Sequence, residues 1–122
     1  MKTVLIIEDN RDNMDVLEAF LEDDFELLEA TDGQSGLDMV KEEQPDIVLL
    51  DISLPIMDGL EVIKYIREDE VINNIPVIAL TAHAMLGDKE KFLKAGFDDY
   101  MSKPIIDDEL LIDMINSVLE NR

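Results

Sequence analysis

Short, wholly apolar runs alternate along this chain with segments whose apolar residues recur at helical spacing. Residues 4–7, 47–50 and 77–80 each contain four apolar side chains in a row, a pattern typical of strands buried on both faces of a sheet. Two weaker strands are predicted at residues 25–30 and 99–102. Because a helical pattern follows each of the five runs, the sequence predicts a parallel sheet with helices on both faces.

Five strand–helix units favour one order of strands. The expected fold is the α/β, flavodoxin-like (βα)5 fold, a doubly wound parallel five-stranded sheet with strand order 2-1-3-4-5. That order places a ligand-binding crevice between the carboxyl ends of strands one and three. The fourth helix, predicted at about residues 86–95, has a poor apolar stripe made of Leu86, Phe92 and Leu93.

Length and composition limit the function classes. The chain has 122 residues, 47% of them hydrophobic, as expected for one folded domain over residues 1–122. Its net charge of −20, from 30 acidic and 10 basic side chains, repels nucleic-acid phosphates and favours a protein partner with basic patches. No apolar run approaches the roughly 20 residues that span a membrane, and the chain has no cysteine for disulfides or zinc–thiolate sites. A cytoplasmic location without membrane contact is expected.

Polar side chains directly follow four of the predicted strands. Glu8 and Asp9 come after the first, Asp51 after the third, Thr81 after the fourth and Lys103 after the fifth. Each of these residues alone has an ordinary explanation, such as a loop cap, a turn or a solvated side chain. Because the carboxyl ends of parallel strands meet at one edge of the sheet, the five side chains are expected to converge, and this convergence indicates a functional site.

Three carboxylates at one place favour a bound cation. Two of them 4 Å apart repel by about 4 kcal/mol at an effective dielectric of 20, and a divalent ion removes that cost. A small set of oxygen ligands favours Mg²⁺, which retains water and recruits phosphate oxygens. A carboxylate beside this ion can attack phosphorus to form an aspartyl phosphate, while a lysine and a hydroxyl bind the remaining phosphoryl oxygens. The residues predict a phosphoryl acceptor at Asp51.

Four motifs surround these residues: IIEDN at residues 6–10, Asp51 with PIMDG at residues 55–59, LTA at residues 80–82 and SKP at residues 102–104. Together they resemble the receiver domain of two-component response regulators, over nearly the whole chain. The resemblance implies phosphorelay signalling, in which the domain accepts a phosphoryl group from a histidine kinase or a histidine phosphotransfer domain. It then binds a downstream protein target in one state. Such a domain is not an enzyme in its own right, although it assists its own phosphorylation and dephosphorylation.

The resemblance also implies roles for individual residues. Asp51 is expected to be the phosphoacceptor, and Thr81 and Lys103 are expected to hold the phosphoryl group. Tyr100 is expected to be a switch residue whose ring position follows Thr81. The Lys103–Pro104 peptide bond is expected to be cis, which costs little before proline.

A set of Mg²⁺ ligands is implied in the same way. Asp9 and Asp51 are expected to bind the ion directly, together with the backbone carbonyl of Ser53. Glu8 is expected to act through water.

Several alternatives remain open on the sequence alone. We expect a stand-alone regulator, because the chain begins at strand one and ends after the last helix. The alternative is a module excised from a longer protein, because residues 79–85 are also similar to receivers fused to hybrid kinases. A haloacid-dehalogenase type hydrolase would want a second Asp where Ser53 stands. A flavin-binding protein would need a phosphate loop where Glu8 and Asp9 repel phosphate. A binding domain with a dead site is disfavoured by the intact acids and lysine.

Four neighbouring residues have simple expected roles. Met57 is expected to pack within its loop, Asp58 to form a turn, and Arg11 to lie on the surface, with anion recruitment as its alternative. His83 is expected to be an ordinary exposed histidine; the alternative is that it borders the site and modulates hydrolysis.

Overall fold

Five parallel strands alternate with five helices in the computed structural model, which describes residues 1–82 and 88–121. The strands are β1 (Thr3–Ile7), β2 (Glu26–Ala30), β3 (Ile47–Asp51), β4 (Val77–Thr81) and β5 (Asp99–Ser102). The helices are α1 (Arg11–Leu21), α2 (Gly33–Glu43), α3 (Gly59–Glu68), α4 (Asp88–Ala95) and α5 (Asp108–Glu120). All pairings are parallel and the order is β2-β1-β3-β4-β5. The predicted fold class and strand order are confirmed.

The sheet separates two hydrophobic cores. Leu5 and Ile7 of β1 face the core that α2, α3 and α4 cover, whereas Val4 and Ile6 face the core under α1 and α5. Successive side chains of a strand point to opposite faces, so a strand covered on both sides must be apolar at every position. This explains why β3 and β4 are buried along their whole lengths.

Side chains at the strand-to-helix turns cap the helices. Asn10, Asp32, Asp58 and Asp107 each accept a hydrogen bond from a backbone N–H three residues further on. Such caps stabilise a helix by about 1 kcal/mol each. Asp58, which was expected to form a turn, is the N-cap of α3.

The Arg67 guanidinium joins α3 to the connections on either side of it. Its Nε donates to the Gly96 carbonyl at 2.9 Å, and its Nη1 donates to the carbonyls of Asn73 and Ile75 at 3.0 and 2.6 Å. Its Nη2 donates to Asp98 Oδ2 at 3.1 Å. The side chain is 21% exposed. It therefore fixes the end of α3 to the residues that follow α4.

Two local predictions need correction. The second strand begins at Glu26, one residue later than predicted, and Phe25 is buried just before it. Leu93 was expected on the inner stripe of α4 but is 44% exposed, because this short helix packs on the sheet through Phe92. Leu86, the other member of that stripe, lies outside the described residues.

Candidate functional site

The carboxyl edge of the sheet gathers the predicted site residues. Glu8 follows β1, while Asp51 and Thr81 are the last residues of β3 and β4, and these three are 1%, 2% and 4% exposed. Lys103 follows β5 directly and its side chain is 16% exposed. Asp9 also lies at this edge but is exposed. The strand order brings the ends of β1 and β3 side by side, as predicted.

The Lys103 ammonium lies between two buried carboxylates. Its Nζ is 2.7 Å from Glu8 Oε1 and 3.3 Å from Asp51 Oδ1. The backbone of Lys103 is fixed as well, because its N–H donates to the Thr81 carbonyl at 2.7 Å. The residue that ends β4 thus positions the residue whose side chain enters the acidic site.

Backbone groups orient both carboxylates. The N–H of Ser53 donates to Asp51 Oδ1 at 3.1 Å, and the N–H of Asn10 donates to Glu8 Oε2 at 3.3 Å. Gly59 packs so closely on the end of β3 that a Cβ there would lie 2.7 Å from the Asp51 carbonyl oxygen. The Ser53 N–H and the Lys103 ammonium both contact the same oxygen of this side chain, Oδ1.

Burial and charge shift two pKa values in this site. Burial raises the pKa of Glu8 above its ordinary value; the bond to Lys103 opposes this shift, and the neighbouring Asp51 adds to it. Burial alone would lower the pKa of Lys103, but the hydrogen bond to Glu8 and the charges of Asp51 and Glu8 outweigh it, and the pKa is raised. Lys103 is therefore an ammonium at neutral pH, whereas ionised Glu8 is destabilised.

The donor set of this site suits a hard divalent cation. Carboxylate oxygens of Glu8, Asp9 and Asp51 lie within 4.8 Å of one another. Three formal negative charges face the one ammonium of Lys103, so two are in excess. Glu8 Oε1 is buried, and Lys103 Nζ lies 2.7 Å from it. Closely spaced carboxylate oxygens that carry an excess of negative charge are what Mg²⁺ binds.

Tyr100 lies beside the site on the outer strand β5. It is opposite Ala79 of β4, and its half-buried ring lies 5.7 Å, centroid to centroid, from the ring of Phe92 on α4. The strand adjacency on which its switch role depends is confirmed. The role itself remains a prediction.

Arg11 and Met57 have the structural roles expected of them. Arg11 is exposed and pairs with Asp15, Glu18 and Glu29 at 2.8–3.5 Å. Met57 packs against the core beneath α3. His83, expected to be an ordinary exposed histidine with a position bordering the site as the alternative, lies outside the described residues.

Sequence reasoning assigned no role to Ile56, five residues after Asp51. Its φ is +67° and its side chain is fully exposed. A groove of about 230 Å³ reaches Lys103 and is lined by residues that include Val16, Pro104 and Ile106. No sequence signal reveals a positive φ at an isoleucine, because β-branched residues rarely adopt it.

Comparison with known proteins identifies the family. The family model of the response regulator receiver domain matches residues 4–116. The chain belongs to this family. The polar-differentiation response regulator DivK of Brucella ovis is 44% identical to it over 105 residues, which cover 85% of each chain. This membership decides against the hydrolase and flavin-binding alternatives.

Solved structures support the same assignment. The receiver domain of the Pseudomonas aeruginosa sensor histidine kinase PA1611 is 32% identical, with a TM-score of 0.88 and 98% of each chain covered. That structure is described with a magnesium ion in its active site cleft. The receiver domain of the Francisella response regulator 1452 is 27% identical, with a TM-score of 0.90 and coverage of 99% and 98%.

Family membership gives this receiver domain a general role. Receiver domains act in two-component signalling, where they interact with histidine kinases and with downstream targets. The cis Lys103–Pro104 bond expected from the resemblance is confirmed. Across the part of the chain that the structure describes, no helix has both the length and the apolar character of a membrane span.

Proposed function

We propose that this receiver domain accepts a phosphoryl group on Asp51, in a reaction that requires Mg²⁺, from a histidine kinase or a histidine phosphotransfer domain. The observation that carries the proposal is the position of the Lys103 ammonium, 3.3 Å from Asp51 and 2.7 Å from Glu8, beside the cluster that includes Asp9. A nucleophilic carboxylate, a cation for the phosphoryl oxygens and a set of metal ligands are the parts that this transfer needs.

The residues divide the chemistry among them. Bound Mg²⁺ would neutralise the phosphoryl oxygens, with Asp9, Asp51, the Ser53 carbonyl and, through water, Glu8 as its ligands. A carboxylate oxygen of Asp51 attacks phosphorus, and the new O–P bond forms as the N–P bond of the donor phosphohistidine breaks. The released imidazole nitrogen takes a proton from solvent.

Lys103 and Thr81 hold the transferred group. The Lys103 ammonium exchanges part of its contact with Asp51 for a phosphoryl oxygen, so that no buried positive charge is left unpaired. The Thr81 hydroxyl donates to a second phosphoryl oxygen. Because the Thr81 carbonyl holds the backbone of Lys103, movement of either residue affects the other.

The output is a changed protein-binding surface. Movement of Thr81 toward the phosphoryl group vacates space beside β4, and Tyr100 on the adjacent strand is placed to fill it. The ring of Tyr100 touches Phe92 of α4, so a change in its position reaches that helix. The face made by α4, β5 and α5 would carry the signal to the downstream target.

Phosphorylation by acetyl phosphate tests the acceptor. In Mg²⁺ the intact mass should rise by one phosphoryl group, and it should not rise in EDTA or in Asp51→Asn. Asp23→Asn is a matched control, since Asp23 is exposed on the opposite edge of the sheet, and it should behave as wild type. Full-rate modification of Asp51→Asn at another residue would overturn the assignment.

Amide NMR with beryllofluoride, a phosphoryl mimic, tests the switch. Thr81→Ala should still take up the mimic through Asp51 and Lys103 but should lose much of the shift change over residues 88–102. Thr31→Ala is the control, because Thr31 follows β2 at the same edge of the sheet and is exposed. Wild-type shift changes throughout residues 88–102 in Thr81→Ala would show that Thr81 is not the coupling residue.

A further inference from the structure

Ile56 occupies a backbone conformation that its own side chain disfavours. Its φ is +67°, and the N–H of Met57 donates to the Pro55 carbonyl at 2.7 Å. An i to i+2 hydrogen bond around a residue of positive φ defines a γ-turn of the rare, strained kind. Glycine and asparagine adopt such a φ readily, whereas a β-branched residue is an outlier there. The backbone therefore does not explain why isoleucine occupies this position.

The side chain of Ile56 also has no packing role. It is fully exposed, whereas the next residue, Met57, turns inward against the core. Single exposed apolar residues are ordinary on protein surfaces, and Val71 is one of them at 72% exposure. Ile56 differs from Val71 because exposure coincides with a disfavoured backbone conformation. Such outliers persist where the surrounding structure holds them, and they cluster at functional sites.

The tip of this loop is held at a fixed place beside Asp51. The Gly59 N–H donates to the Ile52 carbonyl at 3.0 Å, which closes the loop at its base. The Ser53 N–H, inside the same loop, donates to Asp51 Oδ1. The loop that orients the reacting carboxylate is thus the loop that presents Ile56 to solvent.

Apolar side chains also border the site on the side of Lys103. Val16 on α1 is 43% exposed and Ile106 after Lys103 is 86% exposed. Both line the groove that reaches Lys103 and Pro104. Exposed apolar side chains of this groove therefore adjoin Lys103, in addition to Ile56 on the loop that follows Asp51.

Burial of Asp51 determines what a protein donor must contact. The Asp51 residue is 2% exposed, so a phosphohistidine can reach it only if the donor surface around that histidine covers the mouth of the site. A side chain that projects fully from the adjoining loop lies in the path of that surface. A donor as small as acetyl phosphate reaches Asp51 without such contact.

We propose that Ile56 is a docking contact for the phosphohistidine-bearing protein, where it enters an apolar depression beside the donor histidine. This inference rests on the proposed phosphoacceptor function of Asp51. A chain of net charge −20 favours a donor surface with basic residues around that apolar depression. The contact that Ile56 makes in the complex with the donor would then account for an isoleucine at a strained position, which no contact among the described residues of the free domain explains.

Transfer kinetics with two kinds of donor test the proposal. The variants are Ile56→Asn, which suits the positive φ but removes the apolar contact, Ile56→Leu, which keeps an apolar side chain, and Val71→Asn, a matched loss of exposed apolar surface away from the site. Wild type is first phosphorylated by a set of ³²P-labelled histidine phosphotransfer domains and kinases, and the donor that transfers fastest is chosen. The rate of phosphorylation of each variant is then measured with this protein donor and with acetyl phosphate. Circular dichroism and thermal melts confirm that each variant is folded.

The expected results separate this inference from the proposed function. Ile56→Asn should keep the acetyl phosphate rate but lose about fivefold or more in the rate constant of transfer from the protein donor, as for a contributing interface residue. Ile56→Leu should retain most of the transfer rate and Val71→Asn should match wild type. Equal protein-donor rates for Ile56→Asn and wild type would overturn the inference, as would failure of every protein donor on wild type while acetyl phosphate works. Failure of acetyl phosphate on wild type would instead count against the phosphoacceptor function.

Discussion

Removal of the Lys103 ammonium should destabilise the metal-free domain severely at neutral pH. Lys103→Met keeps much of the apolar stem but leaves two carboxylates, of which Glu8 is 1% and Asp51 2% exposed, without a cation. Their mutual repulsion, which Lys103 now offsets, is then uncompensated. Mg²⁺ should restore part of the loss, because it supplies positive charge to the same oxygens.

The distances set the size of the effect. At an effective dielectric of 20, an ion pair at 2.7 Å is worth about 6 kcal/mol and one at 3.3 Å about 5 kcal/mol before desolvation is counted. Desolvation of the three groups cancels much of this, and loss of one partner from a buried pair typically costs about 3–5 kcal/mol. For a domain of this length that corresponds to a fall in Tm on the order of 10–20 °C.

Urea and thermal unfolding in EDTA at pH 7.5 measure the loss. Lys94→Met is the matched control, because Lys94 pairs with Glu90 at 3.2 Å while both side chains are about three-quarters exposed, and such a pair contributes under about 1 kcal/mol. The Lys103→Met deficit should shrink near pH 4.5, where Glu8, whose pKa is already raised, takes up a proton. A Lys103→Met variant within about 1 kcal/mol of wild type at pH 7.5 would refute the reasoning.

Three further outcomes are expected from the same structure. Millimolar Mg²⁺ should raise the stability of wild type by about 1–3 kcal/mol and that of Asp9→Ala by less; a wild-type Tm indifferent to Mg²⁺ in calorimetry would contradict the metal site. In EDTA, Glu8→Gln should gain stability relative to wild type as the pH rises above 4.5, the ordinary pKa of glutamate. The reason is that the raised pKa of Glu8 means that the folded state disfavours its ionised form. If the urea midpoints of the two proteins differ equally at pH 4 and pH 7, this prediction is contradicted. Arg67→Lys should lose about 2–4 kcal/mol, since an ammonium cannot reproduce the forked bonds of the guanidinium, and a urea midpoint equal to that of wild type would count against this role.

The fold was predictable because the sheet is covered on both sides. Continuous apolar runs at residues 4–7, 47–50 and 77–80 are required in strands that face a core at every position, and they indicate little else when turn residues bound them. The positions of Glu8, Asp51 and Lys103 then followed from the rule that parallel strands end at one edge. Their distances did not follow, because the reach of Lys103 across two strands depends on side-chain conformation.

Other features had no signal in the sequence. The hydrogen-bond acceptors of Arg67 are mostly backbone carbonyls. Because every residue type carries a backbone carbonyl, no pattern of side chains predicts these hydrogen bonds. The exposure of Leu93 depends on how α4 lies on the sheet, and a helix of 8 residues has too few turns for its periodicity to show this. The positive φ of Ile56 runs against the local preference of its residue type, and local preference is what sequence reasoning uses.

The way α4 is attached has a mechanical consequence. Phe92 is the buried side chain of this helix, and its ring centroid lies 5.9 Å from that of Phe97 and 5.7 Å from that of Tyr100. Burial of such a side chain stabilises the packing of the helix by about 1.5–3 kcal/mol. A shift of a two-state population from almost wholly one state to almost wholly the other requires a free-energy change of about 5.5 kcal/mol. This is more than the burial of Phe92 contributes. Since Arg67 holds the Gly96 carbonyl at the carboxyl end of α4, we expect any tilt of this helix to pivot about that end and to follow the position of the Tyr100 ring.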